Sequence, residues 1–192
     1  MLNNAGAQYM LGRAHYFGEG VPQDYVEAVR WYRKAADQED ADAQFNLGSA
    51  YFRGQGVPQD YAEAVRWFRK AADQGSAGAQ FMLGRVYALG EGVPQSPADS
   101  VLWFRKAANQ GDADSQYMLG RAYSAGEAVP QDHAEAYFWG NLAVALKRDA
   151  KDDSYAKLRD EAAARLSPAQ LSATQKRCRQ WLDAFEKRKA QK

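Results

Sequence analysis

The first candidates for chemistry in this chain are carboxylate pairs three residues apart: Asp24 with Glu27, Asp60 with Glu63, and Asp132 with Glu135. Paired carboxylates can divide acid and base work between them. Here each aspartate stands where it would cap a helix, and each glutamate falls in the positive first turn that follows, so the spacing favours capping over catalysis. Ser96, Pro97 and Asp99 keep the same chemistry at a fourth place, with serine as cap and proline as the first helical residue. His15 and His133 are the only histidines. Neither has a cysteine or acidic partner at ligand spacing, so no metal is expected. Cys178 is the only cysteine, which excludes an internal disulfide. It lies on an apolar stripe and reads as an inert core thiol. Gly18 and Gly20, with their copies, lack the lysine and the preceding strand that phosphate loops need. No catalytic residue and no cofactor is assigned.

The elements that position these residues recur. Gly12, Gly48, Gly84 and Gly120 are spaced by 36 residues, as are Pro22, Pro58, Pro94 and Pro130, and Trp31, Trp67, Trp103 and Trp139. A period of this size is the signature of a solenoid, in which each unit buries its apolar face only against its neighbours. Within a unit two helices flank a Gly/Pro loop. Helix A of the first unit is predicted over Ala5 to Phe17, with Ala7, Leu11, Ala14 and His15 on the face that packs on helix B. Helix B carries Ala28, Trp31, Tyr32, Ala35 and Ala36, and ends on basic residues before left-handed Gly75 and Gly111. Glu39 takes that glycine place in the first unit, which predicts a different or mildly strained turn.

The residues inside the unit carry a resemblance. Ala43, Gln44, Phe45, Leu47, Gly48, Tyr51, Gly54, Gly56, Val57, Pro58, Asp60, Ala64, Trp67, Phe68, Ala71 and Ala72 are similar to the pattern of the Sel-1-like repeat, an α/α relative of the tetratricopeptide repeat. The likeness runs from about Ala5 to Val144. It implies an all-α fold: a right-handed α/α superhelical solenoid of 36-residue helix-turn-helix repeats with C-terminal capping helices. One repeat domain is expected over 1–192, as repeats 5–38, 39–74, 75–110 and 111–148, then capping helices and tail over 149–192. After Trp139 the repeat wording stops at Gly140, Asn141 and Leu142. A closing helix is predicted from about Asp152 to Leu166, and then a last helix opened by Ser167, Pro168 and Gln170. That helix carries Leu171, Thr174, Cys178, Trp181 and Phe185 on one stripe, and the ending beyond it should fray.

The resemblance also implies a protein-interaction scaffold, commonly bacterial and often exported. In such arrays one side of helix A lines a concave groove, which here would present Tyr9, Arg13, Tyr16 and Phe17. The later units would add Phe45, Ser49, Phe52 and Arg53, then Phe81, Arg85, Ala88 and Leu89, then Tyr117, Arg121, Ser124 and Ala125. Arginine stands at one equivalent place in three of the four units, beside aromatic rings suited to stacking. The rival reading is that the aromatics pack between adjacent A helices and the arginines only solvate the surface.

Charge bounds the partner. Lysine and arginine total 25 against 24 acidic residues, for a net charge of +1, so no global field gathers nucleic acid or an anionic membrane. No apolar run reaches membrane-spanning length, and the first ten residues lack the regions of a signal peptide. A chain trimmed at its N-terminus would look the same, so the compartment stays open between export and cytoplasm. The reading is a non-enzymatic module that binds a protein or peptide, with an acidic segment as the preferred partner. Two classes compete with it. One is an enzyme acting on cell-wall material or β-lactams, by analogy with cysteine-rich relatives whose disulfides this chain lacks. The other is a structural homo-oligomer joined through an incompletely covered N-terminal face.

Overall fold

The computed structural model describes residues 4–147 and 153–191, so the predicted start at Asp152, the boundary at 148/149 and Lys192 lie outside the described residues. The fold is all-α, with ten helices among the described residues, in two compact units, Met1–Ser96 and Pro97–Lys192. Unit one holds α1 (Ala5–Phe17), α2 (Tyr25–Ala36), α3 (Ala41–Arg53), α4 (Tyr61–Asp73) and α5 (Ala77–Leu89). Unit two holds α6 (Pro97–Asn109), α7 (Ala113–Ala125), α8 (His133–Leu146), α9 (Ser154–Ala163) and α10 (Pro168–Ala190). The A helices are α1, α3, α5 and α7; the B helices are α2, α4, α6 and α8.

Each A helix stops the same way. A left-handed glycine follows it, and the loop then returns hydrogen bonds to its last carbonyls: Gln23 Nε2 donates to Tyr16 O at 2.8 Å, and Asp24 N to His15 O at 2.9 Å. The same pair recurs as Gln59 to Phe52 O and Asp60 to Tyr51 O, then in the third and fourth repeats. Groups orphaned by the end of the helix are thus satisfied inside the repeat.

In unit one, Ala43, Leu47 and Ala50 of α3 join a buried cluster with Ala28, Val29, Tyr32, Ala35 and Ala36 of the preceding α2 and with Trp67. This corrects the expected packing face. The positions read as seating a helix A on its own helix B also seat it on the helix before, and in α1 the counterparts Ala7, Leu11 and Ala14 are exposed or half-buried. Contact with the repeat's own helix B runs through glycine: a Cβ on Gly12 would meet the Tyr32 ring, and one on Gly48 the Phe68 ring. Trp31 is half-buried, not core, with Lys34 Nζ 4.1 Å from its ring centroid; Lys70 and Lys106 treat Trp67 and Trp103 alike.

Polar ladders fix the register. Gln38 Nε2 donates to Gln8 Oε1 at 2.7 Å and Gln74 Nε2 to Gln44 Oε1 at 2.9 Å, while Gln44, Gln80 and Gln116 each donate to an alanine carbonyl of the preceding helix B. Gln44, buried and held on both sides in this way, tolerates no slip. A second ladder joins each helix B to the next helix A: Arg69 Nη2 donates to Tyr87 Oη at 2.6 Å, and Arg33 with Tyr51 and Arg105 with Tyr123 repeat it. Glu39 adopts the left-handed turn of its glycine counterparts at φ 66°, as does Ala128 at φ 60°, so the first-unit turn is strained and not different.

Gly140 decides how unit two closes. It stands where Tyr32, Phe68 and Phe104 project a ring, and α9 fills the vacancy: a Cβ on Gly140 would lie 3.3 Å from Arg159 Cα, and Leu158 takes the ring's place against Gly120. Tyr155, Leu158 and Ala162 are the buried face of α9. α10 opens with the predicted box, Ser167 N donating to Gln170 Oε1 at 3.0 Å and Gln170 N to Ser167 Oγ at 3.3 Å. It buries Thr174 and Cys178, and Phe185 lies against Gly111. The helix does not fray at Lys187 as predicted but runs to Ala190, where Lys187, Arg188 and Lys189 complement the negative end of its dipole.

Candidate functional site

The carboxylate pairs are occupied by structure. Asp24 Oδ1 accepts from Glu27 N, and Asp60 Oδ1 from Glu63 N, each at 3.0 Å, while Asp132 accepts from Ala134 N and Glu135 N. The glutamates do not reach back to close a box; Glu27 pairs with Arg30 at 3.0 Å, Glu63 with Arg66 at 3.4 Å, and Glu135 with Arg177. Cys178 is 1% exposed, and burial pushes its thiol up to about 11. Such a thiol stays protonated and unreactive at neutral pH. His15 is half-buried in the packing position of Tyr51, and His133 is the half-buried first residue of α8. Among the described residues no group of three His, Cys, Asp or Glu could hold a metal ion, and no helix is long and apolar enough to cross a membrane.

The A-helix stripe is a mixture. Tyr9, Phe45, Phe81 and Tyr117 are half-buried. Tyr9 lies 6.1 Å from Tyr32, and burial, then Asp42, raises its hydroxyl pKa. The Phe45 and Phe68 ring centroids are 6.0 Å apart, a Cβ on Gly78 would stand 3.3 Å from the Phe45 ring, and Tyr117 stacks on Tyr155 at 4.5 Å. These rings pack between helices with one edge outward. Phe17 and Leu89 project instead, 57% and 59% exposed. Ser49 is half-buried.

The arginines behave differently. Arg13 lies over Phe17 at 5.7 Å, Arg85 over Phe52 at 5.9 Å and Arg121 over Tyr117 at 6.0 Å, while Arg53 Nη1 donates to Tyr16 Oη at 3.3 Å. Among the described residues no carboxylate forms an ion pair with any of the four, although Arg30 and Arg66 on the B helices are both paired. A guanidinium near a ring and outside any intramolecular ion pair is suited to donate paired hydrogen bonds to a carboxylate. Unit one therefore presents Arg13, Arg53 and Arg85 on its A helices, and unit two Arg121.

Sequence reasoning missed the part of the surface that α9 builds. Tyr117, Arg121, Ser124 and Ala125 share a cavity of about 440 Å³ with Ser154, Lys157, Leu158 and Glu161. Those α9 residues lie outside the repeat wording. Their one signal is Gly140, whose missing ring leaves the slot α9 enters.

The architecture is matched by known proteins. The Sel1 repeat model matches residues 5–40, 41–76, 77–112 and 113–147. The solved structure of a Sel1 repeat protein from Oxalobacter formigenes is 30% identical, with a TM-score of 0.76 over 96% of this chain and 74% of its own. The protein c5321 of uropathogenic Escherichia coli, a protective antigen displaying an SLR fold, is 34% identical with a TM-score of 0.72. That match covers 86% of this chain but 39% of c5321, so the chain spans about two fifths of that relative's length. No curated protein gives a significant match. Four consecutive matched repeats, with the helix pairs, loops and ladders that recur in each, place this chain in the Sel1 repeat family.

Proposed function

We propose that this protein is a non-enzymatic interaction module that binds protein or peptide segments through the outward side of its A helices, with acidic side chains of the partner received by Arg13 and Arg85 in unit one and by Arg121 in unit two. Sel1 repeat proteins are generally protein-interaction scaffolds, which supplies the coarse reading. The observation that carries the finer one is that Arg13, Arg85 and Arg121 of the A helices lie beside aromatic rings without an intramolecular ion pair among the described residues, whereas Arg33, Arg69 and Arg105 of the B helices, also beside rings, donate to tyrosine hydroxyls and Arg30 and Arg66 are paired with glutamates. Phe17 and Leu89 add exposed apolar contact beside them, the combination of Arg and large apolar anchors that interfaces concentrate. The carboxylates and the thiol that could have served catalysis are committed to caps, ion pairs and core.

Crosslinking with mass spectrometry in the source cell names the partner. Titrating that partner against Arg13→Glu, Arg85→Glu and Arg121→Glu then tests the surface, with thermal melts alongside. Loss of a charge-assisted contact should weaken binding by about 1.5–3 kcal/mol, roughly ten- to a hundredfold. Stability should stay within about 0.5 kcal/mol, the scale of surface substitutions. Unchanged affinity in all three, or collapse of the fold in place of binding, overturns the assignment.

A further inference from the structure

The cavity between α7 and α9 continues. Ser124 and Glu161, which line its 440 Å³ part, also line a neighbouring one of about 550 Å³ with Gln131, His133, Ala164 and Arg165. Together they form a trough within unit two, walled by α7 on one side and α9 on the other. Its volume is in the range of specific ligand sites. Leu158 gives it an apolar floor.

Its charge is one-sided. Arg121, Lys157 and Arg165 face it against the single carboxylate of Glu161. That carboxylate neutralises little, because its pair with Lys157 is loose at 3.9 Å with both side chains well exposed. Arg121 stands beside an ordered stack: its guanidinium carbon is 6.0 Å from the Tyr117 ring centroid, Tyr117 stacks on Tyr155 at an interplanar angle of 14°, and the Tyr155 hydroxyl donates to Asp114. Tyr117 is committed to that stack, so the trough offers no free ring for a nucleobase, and Glu161 at its centre opposes an unbroken run of phosphates.

From this we infer that the α7–α9 trough is the seat of an extended acidic peptide segment, one carboxylate taken by Arg121 and a second by Arg165, with an apolar side chain of the segment over Leu158. The inference rests on the peptide-binding reading above and places the acidic ligand on a wall that lies outside the repeats.

The probe is a fluorescein-labelled, end-capped Glu-Glu-Leu-Glu-Glu-Leu peptide, followed by anisotropy against the full chain, with Gln-for-Glu and Lys-for-Glu peptides beside it. Wild type should bind the Glu peptide, more weakly as salt rises, and the other two at least about tenfold less well. Arg121→Glu and Arg165→Glu should each weaken the Glu peptide by about tenfold or more, with unchanged melting temperatures, while Arg30→Glu, an exposed charge reversal on α2 outside both surfaces, should leave it within about twofold. A benzophenone-bearing Glu peptide should crosslink to residues of α7 and α9. The trough is overturned if the Glu peptide fails to bind wild type, if the Gln peptide binds equally well, or if the Arg121 and Arg165 reversals leave affinity unchanged. Weakening by Arg13→Glu and Arg85→Glu alone would overturn the trough yet leave the A-helix reading standing. Failure of all reversals against the crosslinked native partner would remove that reading itself.

Discussion

Substituting alanine for glycine at equivalent loop positions isolates the force that seats one repeat on the next. Gly56 has φ +76°, and a Cβ placed on it would run into the Tyr25 carbonyl and stand 2.8 Å from Val26 N, both backbone atoms of α2. Gly92 repeats the arrangement against Tyr61 and Ala62. Gly20 shares the backbone conformation, φ +73°, but a Cβ there would meet nothing within 4 Å. Left-handed backbone costs an L-residue about 1–2 kcal/mol, and Ala128 at φ 60° shows that this fold tolerates it. Gly20→Ala should therefore cost about 1–2 kcal/mol. Gly56→Ala carries the same strain plus an overpacking penalty of about 1–3 kcal/mol, because the obstructing atoms are backbone and cannot rotate away. The difference, about 1–3 kcal/mol, corresponds to about 2–4 °C of melting temperature per kcal/mol in a chain of this size. Thermal melts by circular dichroism at a fixed scan rate measure it, with Gly92→Ala as the replicate. Equal shifts for Gly20→Ala and Gly56→Ala would refute the reasoning, because the loop of the second repeat would then not be seated on α2.

Three further outcomes follow from the same geometry. Gly140→Phe restores the ring of the other repeats and should evict α9, losing the burial of Tyr155 and Leu158, on the order of 3–6 kcal/mol; trypsin should then cut at Lys157 and Arg165, and a protease pattern like wild type would count against the slot. Glu39→Gly relieves a residue held at φ 66° and should raise stability by about 0.5–1 kcal/mol in a chemical melt, whereas a loss would mean that the Glu39 side chain contributes more than its backbone costs. Burial raises the pKa of Asp112, so the folded state holds that proton more tightly than the unfolded chain, and stability from this group is present at acid pH and lost as pH rises through the folded value. Asp112→Asn keeps an oxygen for Ser115 N, now accepted at 2.7 Å, and removes the charge; it should melt no lower than wild type at neutral pH, with the gap closing in acid, and a neutral-pH loss would refute the sign.

Much of the molecule is legible in the chain. The period of Gly12, Pro22 and Trp31 determines the helix pairs, because left-handed turns, caps and apolar stripes are local properties that a few neighbouring residues settle. The caps at Asp24, Asp60 and Ser167 are of this kind, and so is the burial of Cys178 on its stripe. Arg33 with Tyr51 and Arg69 with Tyr87 were present in the repeat as types, yet their pairing 18 residues apart depends on how one helix B meets the next helix A. That Arg30 is paired is legible in the sequence, because Glu27 stands three residues before it, while Arg13 has no acid within four residues on its own helix; the tertiary structure decided only that no carboxylate of another helix among the described residues reaches Arg13. It also decided the end of the array: Gly140 is one missing side chain in the sequence, and in space it is the vacancy that admits Leu158, sets α9 against α7 and turns Tyr117 and Arg121 from a repeat stripe into the wall of a trough. The physical reason is that helices and turns are fixed by short-range sterics and hydrogen bonds, whereas a surface is fixed by which helices come to lie beside one another.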